Sequence, residues 1–436
     1  MSKKLVSNSA FSILNNLVQL VVSLGSGMLI ARSLGPEGKG EVFLITQIFN
    51  LITVIFSFGF GPAIIYFLKN EMINKARVNS FILYYSLGLV VLFALSLTFF
   101  GDQIGRLFNE NFQFKLLVLT FLIAHLNIAS SLVGNKQMAK ENGVKRWSVI
   151  TLISNLCYLI ALVIFLLLFS LQIMGVVYAL ILGGVVKLLL LFYKTDQVAD
   201  EGYQRIYMDD VKRLAGFGFK IFLSNLFLTT VFRLDTFFLN KMVSLSELGL
   251  YSVSVNVGEL LLLIPSAIGV ALFPHLSGLE KEEQKEAMCL VGRISFVIGF
   301  IGIVGLAVIG YPFILVVFGR SFLPAFVPFL MLLPGLMAMT LNYAYSNYFS
   351  SVGRPLTGAM IFMVGLVVNV LLNLWLIPIF GISGAAISSS ITYLVITVGF
   401  IVKVRQMHRI PLTEFVFPKL SDYFYIKNQV VKFLKR

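Results

Sequence analysis

The chain has 436 residues, of which 58% are hydrophobic and 12% charged, with a mean hydropathy of +0.92. That composition excludes a water-soluble globular domain. The net charge is +14, and with only two cysteines a disulfide framework is not indicated.

Apolar blocks of the length that carries a helix across a ~30 Å hydrocarbon core follow one another, separated by short polar loops. Twelve are predicted, near Leu5–Ile30, Glu41–Leu68, Val78–Phe100, Phe114–Val133, Trp147–Phe169, Met174–Tyr193, Gly216–Leu239, Gly249–Leu272, Arg293–Phe318, Phe326–Phe349, Thr357–Phe380 and Ser383–Val402. The first follows Lys3 and Lys4, as a signal peptide would. It is too long for one and lacks an A-x-A-like exit, so a retained helix is expected. Cys157, in the fifth block, and Cys289, beside a basic loop, read as packing residues.

Basic residues stay on the cytoplasmic side of a span, and Lys and Arg are unevenly placed. The N-terminus, Lys69–Arg77, Lys136–Arg146, Lys194–Arg213, Lys281–Arg293, Arg354 and the tail from Lys403 hold 25 of the 34. The alternate loops hold only Arg32, Lys39, Arg106, Lys115, Lys241 and Arg320. Both termini are therefore expected in the cytoplasm. The positive charge reads as a topology signal and an attraction to anionic membrane lipid, with no nucleic-acid partner.

Displaced by 210 residues, the sequence aligns its hydrophobic blocks with themselves and pairs Asn15 with Asn225, Glu37 with Glu247, Gly59 with Gly269, Phe108 with Phe318 and Gly143 with Gly353. After a one-residue slip, Ile173 pairs with Ile382 and Gly175 with Gly384. An internally repeated transporter gives such a pattern. Six spans return the chain to its starting side, so the two copies run parallel. The expected fold is an all-α integral membrane protein of about 12 transmembrane helices, in two parallel six-helix repeats around a central cavity. The expected divisions are an N-terminal lobe (1–194), a solvated cytoplasmic linker (195–212), a C-terminal lobe (213–402) and a basic amphipathic tail (403–436).

Polar side chains inside spans are costly and face other helices or water. In the seventh block Asn225, Thr229, Arg233, Thr236 and Asn240 recur every three or four residues and form one stripe. The repeat places Asn15, Gln19, Ser23 and Ser26 in the same phase on the first block. Thr46, Asn50, Thr53 and Ser57 form a face on the second block, and Ser252, Asn256, Glu259 and Ser266 one on the eighth. Leu226 and Leu261 fall off these stripes and are expected to face lipid. For the hydroxyl residues, ordinary interhelical packing accounts for the pattern. Arg233 and Glu259 are too deep for easy snorkelling; they read as functional groups or as a structural ion pair. Lys220, Lys187 and Arg293 lie near span ends and are expected to snorkel to headgroups, Asp235 to pair locally, and His125 to be structural. The chain has no phosphate-cradling loop, no HExxH and no nucleophile elbow. No catalytic residue, metal site or cofactor is assigned.

The stretch Ala31-Arg32-Ser33-Leu34-Gly35-Pro36-Glu37-Gly38-Lys39-Gly40 resembles the A-R-x-L-G-P-E-G-x-G signature of polysaccharide-biosynthesis flippases. These belong to the multidrug/oligosaccharidyl-lipid/polysaccharide exporter superfamily. Gly353-Arg354, Asn373 to Pro378 and Gly381-Ile382-Ser383-Gly384-Ala385-Ala386 extend the similarity along the chain. The resemblance implies a non-enzymatic flippase of the bacterial cytoplasmic membrane that moves undecaprenyl-diphosphate-linked oligosaccharide outward by alternating access. It implies a cationic cavity lined by the first, second, seventh and eighth helices, and polysaccharide polymerase and glycosyltransferase partners. On that reading Arg233, and Arg32 at the outer rim, meet the diphosphate; Asn15, Gln19, Asn50, Asn225 and Asn256 meet sugar hydroxyls; and Glu259 is an ion-coupling candidate. The alternatives are a multidrug or cation antiporter of the same superfamily and a membrane glycosyltransferase or polymerase.

Overall fold

The structure, a computed structural model, describes residues 3–108, 113–140, 143–193, 202–263, 281–351, 355–408 and 414. The described elements are helices: α1 (Lys3–Ser57), α2 (Phe60–Lys69), α3 (Lys75–Phe108), α4 (Phe114–Met138), α5 (Gly143–Val163), α6 (Gln172–Phe192), α7 (Met208–Met242), α8 (Leu245–Gly258), α9 (Lys281–Val317), α10 (Phe326–Ser351) and α11 (Pro355–His408), with a π turn at Ile164–Leu168 and 3₁₀ turns at Glu259–Leu262 and Arg320–Ala325. The chain is a multi-pass membrane protein.

Among the described residues nine helical stretches are long and apolar enough to cross a membrane. Two of them, Val18–Lys69 and Leu356–Met407, have 52 residues each, about 78 Å at 1.5 Å per residue. Each therefore crosses a ~30 Å core twice. Nine stretches, two of them double, make eleven crossings. The eighth expected block is described only at its start, through α8 and the turn after it.

The double passes fold back where the expected loops lie. Gly35 (φ 67°, ψ −172°) and Gly381 (φ 56°, ψ −133°) interrupt the helical geometry, in a region that only glycine enters without strain. Pro36 follows the first of these as a helix-starting residue. The second pass is demonstrably an antiparallel hairpin. A Cβ on Gly384 would meet Leu376 and one on Gly365 would meet Ile396, while one on Gly399 would meet Ile361; Asn369 donates to Thr392. The paired residue numbers converge on the turn. Gln172, 209 residues before Gly381, also has a positive φ, of 51°, so the backbone kink recurs where the repeat pairs the two segments.

The chain forms two compact units, Met1–Leu250 with Val317–Ser321, and Tyr251–Val316 with Phe322–Arg436. In the first, Ile30, Val42, Leu162, Val176 and Ala179 share an apolar core. Gly134 lies against the Trp147 ring, and the Lys187 ammonium sits over that ring, 4.4 Å from its centroid. The cation–π contact replaces the snorkelling expected for Lys187. The connector is also more than a solvated tether. Asn79 Nδ2 donates to the Gly202 carbonyl at 2.9 Å, the Gln204 amide donates to Ala76, and Arg77 pairs with Asp210 at 3.4 Å while lying over Tyr207. Residues 202–210 are strapped along the start of α3. Asn79 also accepts from buried Lys136.

In the second unit α10 packs against α11. Asn369, Asn373, Ser388 and Thr392 are fully buried inside the hairpin. Asn373 donates to Asn369 at 2.9 Å, and Asn342 on α10 donates to Thr397 at 3.0 Å. The interhelical amide packing anticipated for polar residues is most developed here. Arg293 does not snorkel: it is buried and donates to the Glu414 carbonyl at 2.9 Å, with the Glu414 carboxylate 3.8 Å away. Lys403–His408 continue α11; the rest of the expected tail, apart from Glu414, lies outside the described residues, as does Gly353-Arg354.

Candidate functional site: the polar stripe and its two seams

The first unit holds α7 with its stripe, together with α1 and α2, which carry the first two spans. Burial increases along the stripe, from exposed Asn225, through half-buried Thr229 and Arg233, to buried Thr236. Asp235, off the stripe, is buried, and its carboxylate accepts the Thr236 backbone N–H at 2.7 Å, the local pairing expected of it. His125 is half-buried.

Hydroxyls and amides on these faces behave differently. Thr46 donates to the Val42 carbonyl and Thr53 to Phe49, both at 2.7 Å, while Ser26 and Ser57 bond carbonyls three residues back. Their hydroxyl protons are donated within their own helix. Gln19, Asn50 and Asn225, by contrast, are exposed, and none of the three amides has a hydrogen-bond partner among the described residues. An amide in that condition inside a span is stable only where it meets water or a polar ligand, because hydrocarbon offers it no partner. The side chain of Asn15 lies outside the described residues. Asn256 and Glu259 belong to the second unit and are half-buried. Glu259 stands where α8 ends and a 3₁₀ turn begins, a tightening common at functional positions. The same turn explains Leu261: it is 5% exposed and packed towards Gly302, because a 3₁₀ segment advances 120° per residue and shifts the phase that an α-helix would give. Leu261 does not face lipid.

Two backbone-to-backbone seams in the first unit bracket the stripe. Towards the end that carries most of the basic loops, α2 meets α7. A Cβ on Gly59 would lie 2.2 Å from the Gly218 carbonyl oxygen, and one on Gly218 would lie 2.7 Å from the Phe58 carbonyl oxygen. The second span breaks here, with Phe58 at φ 47° and Gly59 at φ 67°. Left-handed backbone at Phe58 costs about 1–2 kcal/mol, offset by its ring, which stacks on Phe222 at 5.1 Å and tilts against Phe219 at 5.8 Å. Tyr66 stacks on Phe217 at 4.5 Å and extends the contact.

At the opposite end, the turn after the first span meets the start of α8. A Cβ on Gly40 would lie 1.9 Å from the Leu245 carbonyl oxygen, and one on Gly249 would lie 1.9 Å from the Pro36 carbonyl oxygen. Lys241 donates to the Arg106 carbonyl at 2.9 Å, and Arg32 donates from Nε to the Val317 carbonyl at 3.0 Å. Arg32, expected at the substrate rim, is thus also a clamp on the C-terminus of α9, where a cation suits the helix dipole. Lys39, in the same turn, is buried, with its ammonium beside Gly27. Sequence reasoning singled out neither seam, although the glycines of the signature and Gly59 were its visible trace.

The fold has relatives of known structure. The lipid II flippase MurJ in an inward closed conformation superimposes with a TM-score of 0.75 at 14% identity, covering 94% of this chain and 89% of that one. An inward-facing multidrug resistance MATE family transporter of the MOP superfamily gives 0.69 at 15% identity, covering 90% and 94%. At such identities the likeness is one of fold. Two sequence relatives carry provisionally assigned names. An O-antigen transporter of Shigella flexneri is 24% identical over 402 residues, 89% of this chain and 94% of its own length. The flippase AglR of Haloferax volcanii is 31% identical over 182 residues, which span 40% of this chain and only 37% of that protein. The profile of the family described as "Polysaccharide biosynthesis protein" matches residues 29–327, more than half of the chain, which therefore belongs to that family.

Proposed function

We propose that this protein is a flippase, not an enzyme, and that it moves an undecaprenyl-diphosphate-linked oligosaccharide from the cytoplasmic to the outer leaflet of the bacterial cytoplasmic membrane. One observation carries the reading: Gln19, Asn50 and Asn225 are exposed amides on membrane spans, with no partner among the described residues. Three amides left in hydrocarbon would be prohibitive, whereas in a hydrated cleft they offer donors and acceptors to sugar hydroxyls. Membership of a polysaccharide-biosynthesis family, one relative named for O-antigen transport and another named a flippase support the same reading.

The mechanism follows from solvation. A diphosphate cannot cross hydrocarbon without a charge partner, and Arg233, half-buried on the α7 stripe, supplies one with the bidentate geometry that phosphate favours. The sugars ride in the hydrated cleft while the polyprenyl tail stays in lipid. The basic end is cytoplasmic, so the Gly59–Gly218 seam is the inner gate and the Gly40–Gly249 seam the outer one. Rocking of two six-helix lobes, divided at the 195–212 connector, opens one gate at a time. Glu259 and Asn256, carried by α8 and the turn after it, are the ion-coupling and sugar-binding contributions of the eighth span, and Arg32 acts at the outer rim. Glycosyltransferases act before the flip and the polysaccharide polymerase after it.

The decisive experiment replaces Arg233. Arg233→Lys keeps the charge without the fork and should retain part of the surface glycan, normalised to folded protein, whereas Arg233→Ala should lose most of it. Removing one member of a purely structural buried pair costs about 3–5 kcal/mol, would appear as lost folded protein, and would be rescued by Glu259→Gln. Wild-type glycan from Arg233→Ala, or full rescue in the double variant, would refute the assignment.

A further inference from the structure

A second binding surface lies in the other unit, remote in sequence from the polar stripe. A groove of about 580 Å³ runs between the two arms of α11, with Phe349 of α10 at its edge. Met360 and Val364 line one side and Val395 and Val402 the other. Gly399 lets Ile361 approach to within 3.1 Å of where a Cβ would stand, which brings the two arms close together. Met360, Val364 and Val402 are 63%, 54% and 43% exposed, so the trough opens sideways along a membrane-spanning face. From Val395 to Met407 it extends about 18 Å along the helix, close to the ~15 Å depth of one leaflet's hydrocarbon.

Polar groups occupy one end of it. Lys403 and Gln406 line the groove there, and both are exposed. Arg405 is exposed beside them, and residues 355–408 contain no Asp or Glu. Apolar walls one leaflet long, ending in a lysine that makes no ion pair among the described residues, match the chemistry of a glycerophospholipid with a net negative headgroup. We propose that this groove is a binding site for an anionic phospholipid of the leaflet at the basic end, with one acyl chain in the trough and the phosphate on Lys403. A polyprenyl chain fits less well, being far longer than one leaflet. This inference does not depend on the cargo proposed above.

The test uses the full-length protein in phosphatidylcholine vesicles that contain a trace of phosphatidylglycerol carrying a photoactivatable diazirine in one acyl chain. After irradiation, adducts are mapped by peptide mass spectrometry. Adducts should concentrate in 357–364 and 395–407, about fivefold above a matched phosphatidylcholine probe, the factor expected for one lysine near an anionic headgroup. Lys403→Gln, a change at an exposed position, should reduce phosphatidylglycerol labelling to the phosphatidylcholine level. Val402→Trp, which fills the trough from an exposed position, should abolish the groove adducts of both probes. Equal labelling by both probes in the wild type, adducts spread evenly over lipid-facing positions such as Trp375, or loss of the groove adducts on adding equimolar undecaprenyl phosphate would each overturn the proposal.

Discussion

Gly218 and Gly249 each carry a seam, and replacing either with alanine should push the protein in opposite directions. Gly218 sits inside α7, where alanine is intrinsically better by about 1 kcal/mol. Its Cβ, however, would stand 2.7 Å from the Phe58 carbonyl oxygen. Ordinary contact begins near 3.4 Å, so the seam must open by about 0.7 Å. At Gly249 the approach of 1.9 Å to the Pro36 carbonyl oxygen requires about 1.5 Å. Overpacking of this kind costs about 1–3 kcal/mol, confined to the conformation in which that seam is closed, a bias of about 5- to 150-fold in the gate equilibrium. The readout is a cysteine at Asn225 in a variant with Cys157 and Cys289 replaced, labelled by a membrane-impermeant thiol reagent in right-side-out and inverted vesicles. Gly218→Ala should raise labelling from the basic-loop side, and Gly249→Ala from the opposite side. Gly88→Ala, where nothing lies within 4 Å, should change neither. Labelling that rises from the same side in both seam variants, or in neither, would refute the assignment of the two contacts as opposed gates.

Other expectations follow from the same geometry. Reporter fusions at Arg436 and near residue 200 should be active only as cytoplasmic reporters; activity outside the cell would reverse the orientation. Cysteines at Gln19, Asn50 and Asn225 should react with polar thiol reagents, whereas one at Val364, on the lipid-facing groove, should not. Asn79→Leu removes an acceptor from buried Lys136 and the tie to Gly202, and should lower stability in thermal unfolding by about 1–3 kcal/mol. An unchanged melting temperature would mean that the Asn79 ties to Lys136 and Gly202 contribute nothing to stability.

Much of the architecture was legible because the bilayer imposes it. Blocks of apolar sequence must become helices there, and the glycines at 35 and 381 mark turns that a side chain would strain. The polar stripe on α7 was legible from helical phase. Phase failed at Leu261, where a 3₁₀ turn rotates the side chain into the helix packing. It also could not separate Thr46, which bonds its own helix, from exposed Asn50 four residues on, since both occupy the same face. Arg32, Lys187 and Arg293 show a different limit. Long cations choose among headgroups, aromatic rings and backbone carbonyls according to what lies a few ångströms away, and that is tertiary information. The seams were invisible for the same reason: Gly59 and Gly218 are 159 positions apart, and nothing in either neighbourhood names the other.

The buried ladder of Asn369, Asn373, Ser388 and Thr392 bears on how the protein is made. Each arm of α11 alone would present these amides and hydroxyls to lipid, where lost partners cannot be replaced by water. Side by side the arms bond one another: Asn369 donates to Thr392, and Ser388 donates to the Asn369 carbonyl. The two segments should therefore leave the translocation machinery as a pair, the first waiting at its exit until the second has been synthesised.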